Sequence, residues 1–141
     1  MATFNKFNAF VEHLAEGVHA LDADTLKVML TNTAPVATNS VLADLTEIAA
    51  GNGYTAGGTQ ATVSSSAQTS GTYKLVLNDV VFTASGGTIG PFRYAVLYND
   101  TPSSPADPLI GWHDYGSSIT LLAGETFTWN ADPTTGVIQI V

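Results

Sequence analysis

No cysteine occurs among the 141 residues, which excludes disulfides, zinc–thiolate sites, iron–sulfur clusters and thiol nucleophiles. Charge is nearly as scarce. Charged residues make up 11% of the chain, against about a quarter in ordinary soluble domains. Bases are scarcest of all: Lys6, Lys27, Lys74 and Arg93 stand against twelve acids, for a net charge of −8. Nucleic-acid phosphates are held by clustered Lys and Arg, so four scattered bases exclude direct DNA or RNA binding. They exclude docking on anionic lipid for the same reason. No acidic tail exists either, because residues 1–70 and 71–141 each carry six acids and two bases. No apolar run reaches the length of a membrane span. The opening "MATFNKFNAFVEHLAEG" has polar breaks and no signal-peptide apolar core. A soluble chain that does not leave the cell by the usual route is expected, and the missing cysteine fits synthesis in a reducing cytoplasm.

Threonine and serine fill the place of the charges, with 19 Thr and 10 Ser. A neutral, hydroxyl-rich surface suits β-strands. Another protein can cover it with few charges to desolvate. The length fits one domain with one core.

The first segment reads as a helix. Phe4, Phe7, Val11, Leu14, Val18 and Leu21 recur at steps of 3 and 4, on one face. Thr3 can cap its start and Gly17 can end it. Such a face either covers its own domain or reaches a neighbouring subunit. From Thr25 the period becomes two. "TLKVMLTN" reads as a half-buried strand, and "TNTAPVATNS" breaks it. "SVLADLTEIAAG" reads as one short helix stopped by Gly51. "TQATVSSSAQTS" reads as a polar edge strand, and "TYKLVLND" and "VVFTA" as further strands. "FRYAVLYN", apolar on both faces, reads as a central strand covered on both sides. The proline-rich "DTPSSPADP" is an exposed loop. "LIGWHDYG", "SSITLLAG", "ETFTWNAD" and "GVIQIV" are short strands split by Gly, Asp and Pro. The prediction is an all-β fold, a β-sandwich or jelly-roll-like domain over 25–141, with an N-terminal amphipathic helical segment over 1–24.

"GNGYTAGG" satisfies the dinucleotide pattern G-x-G-x-x-G/A through Gly51, Gly53 and Ala56. That loop requires a buried strand before it and a helix after it, and neither is present. The glycines read instead as turn residues with positive φ, with the Tyr54 ring over the core edge and its hydroxyl in water. His13 and His19, six apart on the expected helix, point in different directions and read as surface residues. In "WHDYG", strand geometry sends His113 and Asp114 to opposite faces. A hydrolase using His113 with Ser117 or Ser118 therefore has little support, and no G-x-S-x-G elbow exists. Asp22 and Asp24 miss the EF-hand pattern and read as capping or turn residues. "NDT" at Asn99–Thr101 is a coincidental sequon. Trp112 and Trp129 read as core anchors. No catalytic, cofactor or metal site is expected, and a binding or structural role is.

Four phrases together resemble small virion proteins of tailed bacteriophages, and capsid decoration (cement) proteins most closely. They are "LTEIAAGNGYTAGG" (Leu45–Gly58), "GPFRYAVLYNDT" (Gly90–Thr101), "DPLIGWHDYG" (Asp107–Gly116) and "LLAGETFTWNADPTTGVIQI" (Leu121–Ile140). The similarity runs from about Leu26 to the C-terminus. Related segments also occur in phage tail and fibre proteins. In a tail or receptor-binding role, Trp112, Tyr115 and the loop Asp100–Pro108 are the candidates for carbohydrate or protein contact. The resemblance implies a β-sandwich or jelly roll on the capsid exterior. It implies a homo-oligomer, dimer or trimer, that bridges neighbouring major capsid proteins, and no active site. Phe4, Phe7, Val11, Leu14, Tyr54, Pro102 and Pro105 are the expected subunit or capsid contacts.

Overall fold

The computed structural model describes residues 2–141, and they are mostly β. In chain order the elements are β1 (Phe4–Lys6), α1 (Asn8–Ala15), β2 (Leu26–Thr31), β3 (Thr59–Gln60), β4 (Val63–Thr69) and β5 (Thr72–Leu77). β6 (Val80–Thr83), β7 (Ile89–Asn99), β8 (Leu109–Leu121), β9 (Thr126–Trp129) and β10 (Ile138–Ile140) follow. All pairings are antiparallel. They build one sheet in the order β1-β8-β7-β2-β3, a second in the order β10-β5-β4, and the pair β6-β9.

Strand alternation divides the apolar side chains between two clusters. Leu26, Val28 and Leu30 of β2 and Ala95 and Leu97 of β7 turn one way. They share a core with Leu75 and Leu77 of β5, Phe82 of β6 and Trp129 of β9. Met29 and Val96 turn the other way and meet Phe7, Tyr98 and Leu109. β7 is thus buried on both faces, as its apolar sequence predicts. β2 differs from its half-buried expectation, since Met29 and Thr31 are fully buried. The cause is the segment after β2, which returns over this face and lays Leu42 and Leu45 on it. That return contains a single 3-10 turn, Leu42–Asp44, in place of the predicted helix, and Gly51 stops nothing. Asp44 organises the turn instead, its carboxylate accepting the amides of Ser40 (2.9 Å) and Val41 (3.3 Å).

The N-terminal helix is shorter than its periodicity predicts. Phe4–Lys6 pairs with β8, Phe4 opposite His113, because the outer edge of β8 offers a ladder of backbone partners. Phe7 is extended, and its ring leaves the helix face for the second cluster. α1 buries Phe10 instead, which the 3-4 pattern passes over, while Val11 is 50% exposed. "LIGWHDYG" and "SSITLLAG" form one thirteen-residue strand, with Gly116 at φ +85 inside it.

The glycine loop closes the edge of β2. β3 covers only Lys27 and Val28. Beyond them the Leu30 amide donates to the Tyr54 hydroxyl (3.0 Å), and the Leu30 carbonyl accepts the Ile48 amide (3.1 Å). The Thr31 hydroxyl donates to the Thr46 carbonyl. Tyr54 is therefore buried, at 2% exposure, and its hydroxyl lies inside the protein and not in water. It donates to Glu47 Oε1 (2.6 Å), which also accepts the Gly57 amide (2.6 Å). Tyr98 donates to the Gly57 carbonyl (2.6 Å). Burial, reinforced by Glu47, pushes the Tyr54 phenol well above its ordinary range, so it remains a donor.

Gly58 shows why glycine is required here. At φ +82, a Cβ on it would lie 1.9 Å from the Val28 carbonyl oxygen. Gly71 has a similar φ of +84 but nothing within 4 Å of a Cβ. Gly71→Ala is expected to cost only the left-handed penalty, about 1–2 kcal/mol. Gly58→Ala adds a clash with β2 backbone and should lower the urea midpoint by clearly more. Tyr54→Phe leaves the buried Leu30 amide without its acceptor. About 1–3 kcal/mol should be lost in the same measurement.

Candidate functional site

The glycine loop spends several of its amides within the chain. The Gly51 amide donates to the Tyr54 carbonyl (2.8 Å), the Tyr54 amide to the Gly51 carbonyl (3.0 Å) and the Gly58 amide to the Thr55 carbonyl (2.9 Å). With the Gly57 amide on Glu47, four of the loop's amides are engaged within the chain. The positive φ values of Gly51, Gly53, Gly57 and Gly58 are those expected of a turn.

"WHDYG" separates as strand geometry requires. His113 turns into the core, where its Nδ1 accepts the Trp129 indole N–H (3.1 Å). Asp114 turns outward to a bidentate pair with Arg93 (2.8 and 3.1 Å) and also accepts the Gly116 amide (2.8 Å). Ser118 donates to Asn32 (2.8 Å). Serine, histidine and aspartate thus each take a different partner. Trp129 is fully buried, whereas Trp112 is half-buried beneath Phe7, ring centroids 4.5 Å apart.

His19 is not a surface residue; it is 6% exposed. The chain after α1 turns it onto Asn99. The Thr101 amide donates to Asn99 Oδ1 (3.1 Å), so the Asn99 amide nitrogen donates to Asp24 (2.7 Å) and to His19 Nδ1 (3.0 Å). This bond places the His19 proton on Nε2. His19 Nε2 and His13 Nδ1 are both buried without a hydrogen-bond partner among the described residues, their rings 6.1 Å apart. Asp24 also caps the Ala20 amide (2.9 Å), the turn role its sequence position indicates. Asn99, the sequon residue, is fully buried. Among the described residues no three His, Asp or Glu side chains converge as a metal site.

The seven expected contact residues fall into three groups. Phe7 and Tyr54 are core residues, at 0% and 2% exposure, and cannot touch a partner. Burial of the sheet's second face claims the first, and the open edge of β2 claims the second. Pro102 and Pro105 are half-buried in the β7–β8 loop. Phe4, Val11 and Leu14 come together, with Lys6, Phe10 and Ala15, along one wall of a groove of about 550 Å³. Its other wall is β10 and its flanks, Val137–Val141. Sequence reasoning missed this second wall. Ile140 is 44% exposed and Val141 98%. The signal was the apolar "GVIQIV" itself, in which both Ile138 and Ile140 lie on the same side of a strand. β1 and β10 are each the outermost strand of their sheet, so the groove runs between two unpaired backbone edges.

Comparison of the chain with protein-family models, with curated proteins and with solved structures returns no match. No helix among the described residues is long and apolar enough to cross a membrane.

Acid is expected to destabilise the protein through its two buried imidazoles. Burial lowers His19 to about 4, helped by His13 and opposed by Asp24, and burial alone lowers His113 to about 4. Between that value and the ordinary 6.5 the unfolded chain holds protons that the native one excludes. Their contribution is complete above 6.5 and drains away as pH falls to 4, on the order of 3 kcal/mol for each ring. Urea midpoints measured across this window should show the loss. His113→Gln, which keeps an acceptor for Trp129 but does not titrate, should remove roughly half of it.

Proposed function

We propose that this chain is a structural virion protein of a tailed bacteriophage that decorates the capsid exterior. It is made in the bacterial cytoplasm, acts without catalysis or cofactor, and works as a homo-oligomer bridging major capsid protein subunits. The antiparallel sheets are read as a jelly-roll-like sandwich, with α1 beside it. The observation that carries the reading is the groove: exposed Val11, Ile140 and Val141 line a concave apolar surface between two unpaired strand edges. Apolar surface with open backbone donors and acceptors favours another protein chain as occupant.

Charge supports the same reading. Lys27 pairs with Asp100 (3.0 Å), Arg93 pairs with Asp114 (2.8 Å) and Lys74 donates to the Thr134 carbonyl (2.8 Å). Three of the four bases are engaged internally, which leaves no basic face for nucleic acid. Many weak contacts repeated on a lattice gain strength through effective concentration. The resemblance of the four sequence phrases to decoration proteins points to the capsid as that lattice.

A tail or fibre component with a receptor-binding role is the second reading. The cavity beside His113 and Tyr115 favours it, since a receptor module needs a concave site for a small epitope.

The purified protein should co-sediment with assembled shells that lack it and raise their disruption temperature. Val11→Asp with Ile140→Asp changes two exposed positions. The fold should persist and shell affinity fall about tenfold or more. Failure of the native protein to co-sediment overturns the decoration reading, and unchanged affinity of the variant overturns the groove as its contact. Quantitative mass spectrometry of whole particles separates head from tail: hundreds of copies for the first, a few to dozens for the second.

A further inference from the structure

A second concavity lies beside the groove. It is a cavity of about 610 Å³ lined by Ala2, His113, Asp114, Tyr115, Gly116, Thr128 and Asn130. Its size falls in the range of small-molecule sites, about 300–1,000 Å³. A smaller hollow continues from it, sharing Ala2, His113 and Asn130.

The chemistry of the lining is specific. Trp129 can only donate through its indole nitrogen, so His113 Nδ1 must accept and the ring proton is on Nε2. His113, in the cavity lining, is thereby a neutral ring with a donor at Nε2. β8 also lines it with Tyr115, and β9 and the residue after it line it with Thr128 and Asn130. Burial lifts Tyr115 to about 12, so its hydroxyl stays protonated and uncharged. The charged residue in the lining, Asp114, is already neutralised by the Arg93 fork and the Gly116 amide. The Tyr115 ring is held edge-on by Phe127, centroids 5.0 Å apart at 89°, and lies 6.2 Å from His113.

We propose that this cavity is a saccharide site: a neutral ring of hydroxyls meets uncharged donors and acceptors from His113, Thr128 and Asn130, with its C–H face on Tyr115. A free anion would find no cation there, and a cation would find Asp114 already paired. A neutral polyol gains from every polar group present and loses nothing to unpaired charge. The site does not depend on the capsid reading, because it is separate from the apolar wall formed by Val11 and Ile140. Of the residues that the sequence offers for carbohydrate contact, the structure keeps Tyr115 in the lining. Trp112 packs beneath Phe7 instead, and the Asp100–Pro108 loop does not line the cavity.

The test is nitrogen–proton NMR on the intact chain, titrated separately with glucose, galactose, mannose and N-acetylglucosamine to tens of millimolar. Acetate and methylammonium serve as charged controls. At least one sugar should shift the Trp129 indole signal and the amides of Tyr115 and Gly116 saturably, with Kd of about 1 mM. Asn130→Ala, at an exposed position that leaves the core intact, should weaken that binding about tenfold. Tyr115→Ala should abolish it. Three results each overturn the proposal: no saturable shift with any of the four sugars, unchanged affinity in Asn130→Ala, or tighter binding of either charged control.

Discussion

A sheet buried on both faces must still be closed at its side, and here one phenol does it. β3 covers two residues of β2, after which the Leu30 amide would end in apolar surroundings without a partner. The Tyr54 hydroxyl accepts that amide and donates its own proton to Glu47. Glu47 in turn fixes Gly57, and Gly57 fixes Tyr98 on β7. A half-buried carboxylate, two phenols and a glycine thereby tie the loop to two adjacent strands. The loop can lie that close only because Gly58 has no side chain to meet the Val28 carbonyl. An unsatisfied buried amide costs more than a made hydrogen bond gains, so the arrangement is required more than it is favourable.

Much of this is legible in the sequence, and the failures share one cause. β7 is recognisable because a strand apolar on both faces has to be covered on both. The glycine loop is recognisable as a turn because its flanks lack the strand and helix that a phosphate loop needs. The separation of His113 from Asp114 follows from strand geometry alone. The N-terminal helix is overextended by periodicity because Phe4 and Phe7 fit a helical step and a strand equally well. Only β8, more than a hundred residues away, decides between them. The sequence pattern puts His19 at the surface, the Tyr54 hydroxyl in water and Phe7 on a helix face open to a subunit contact, because their burial depends on long-range partners: Asn99, Leu30 and Trp112. Periodicity reads the face of one element and cannot see what arrives to cover it. The groove is half legible, through Phe4, Val11 and Leu14. Its β10 wall is joined to them only by the fold.

The chain's few charged groups are arranged consistently with a protein that meets other molecules through neutral surface. Three of the four bases are paired or bonded to backbone, and several carboxylates serve turns, as Asp44, Asp24 and Asp132 do. Two of the concave surfaces are close neighbours, the apolar groove and the cavity lined by His113, Tyr115, Thr128, Asn130 and the paired Asp114. The groove lies where the five-stranded sheet ends at β1 and the three-stranded sheet ends at β10, and the cavity lies against β8 and β9. Phe4 lines both the groove and the small hollow that continues the cavity beside His113. A partner seated in the one would therefore sit at the threshold of the other.

The two tryptophans occupy opposite layers. Trp129 is locked to His113 inside the larger cluster, while Trp112 lies under Phe7 on the far side of the same sheet. Each indole is thus a native optical probe of one layer, and a chain lacking either one would isolate the emission of the other. Melting curves recorded from such a pair would superimpose if both layers are lost in one concerted event, and would part company if the covering segment peels away first.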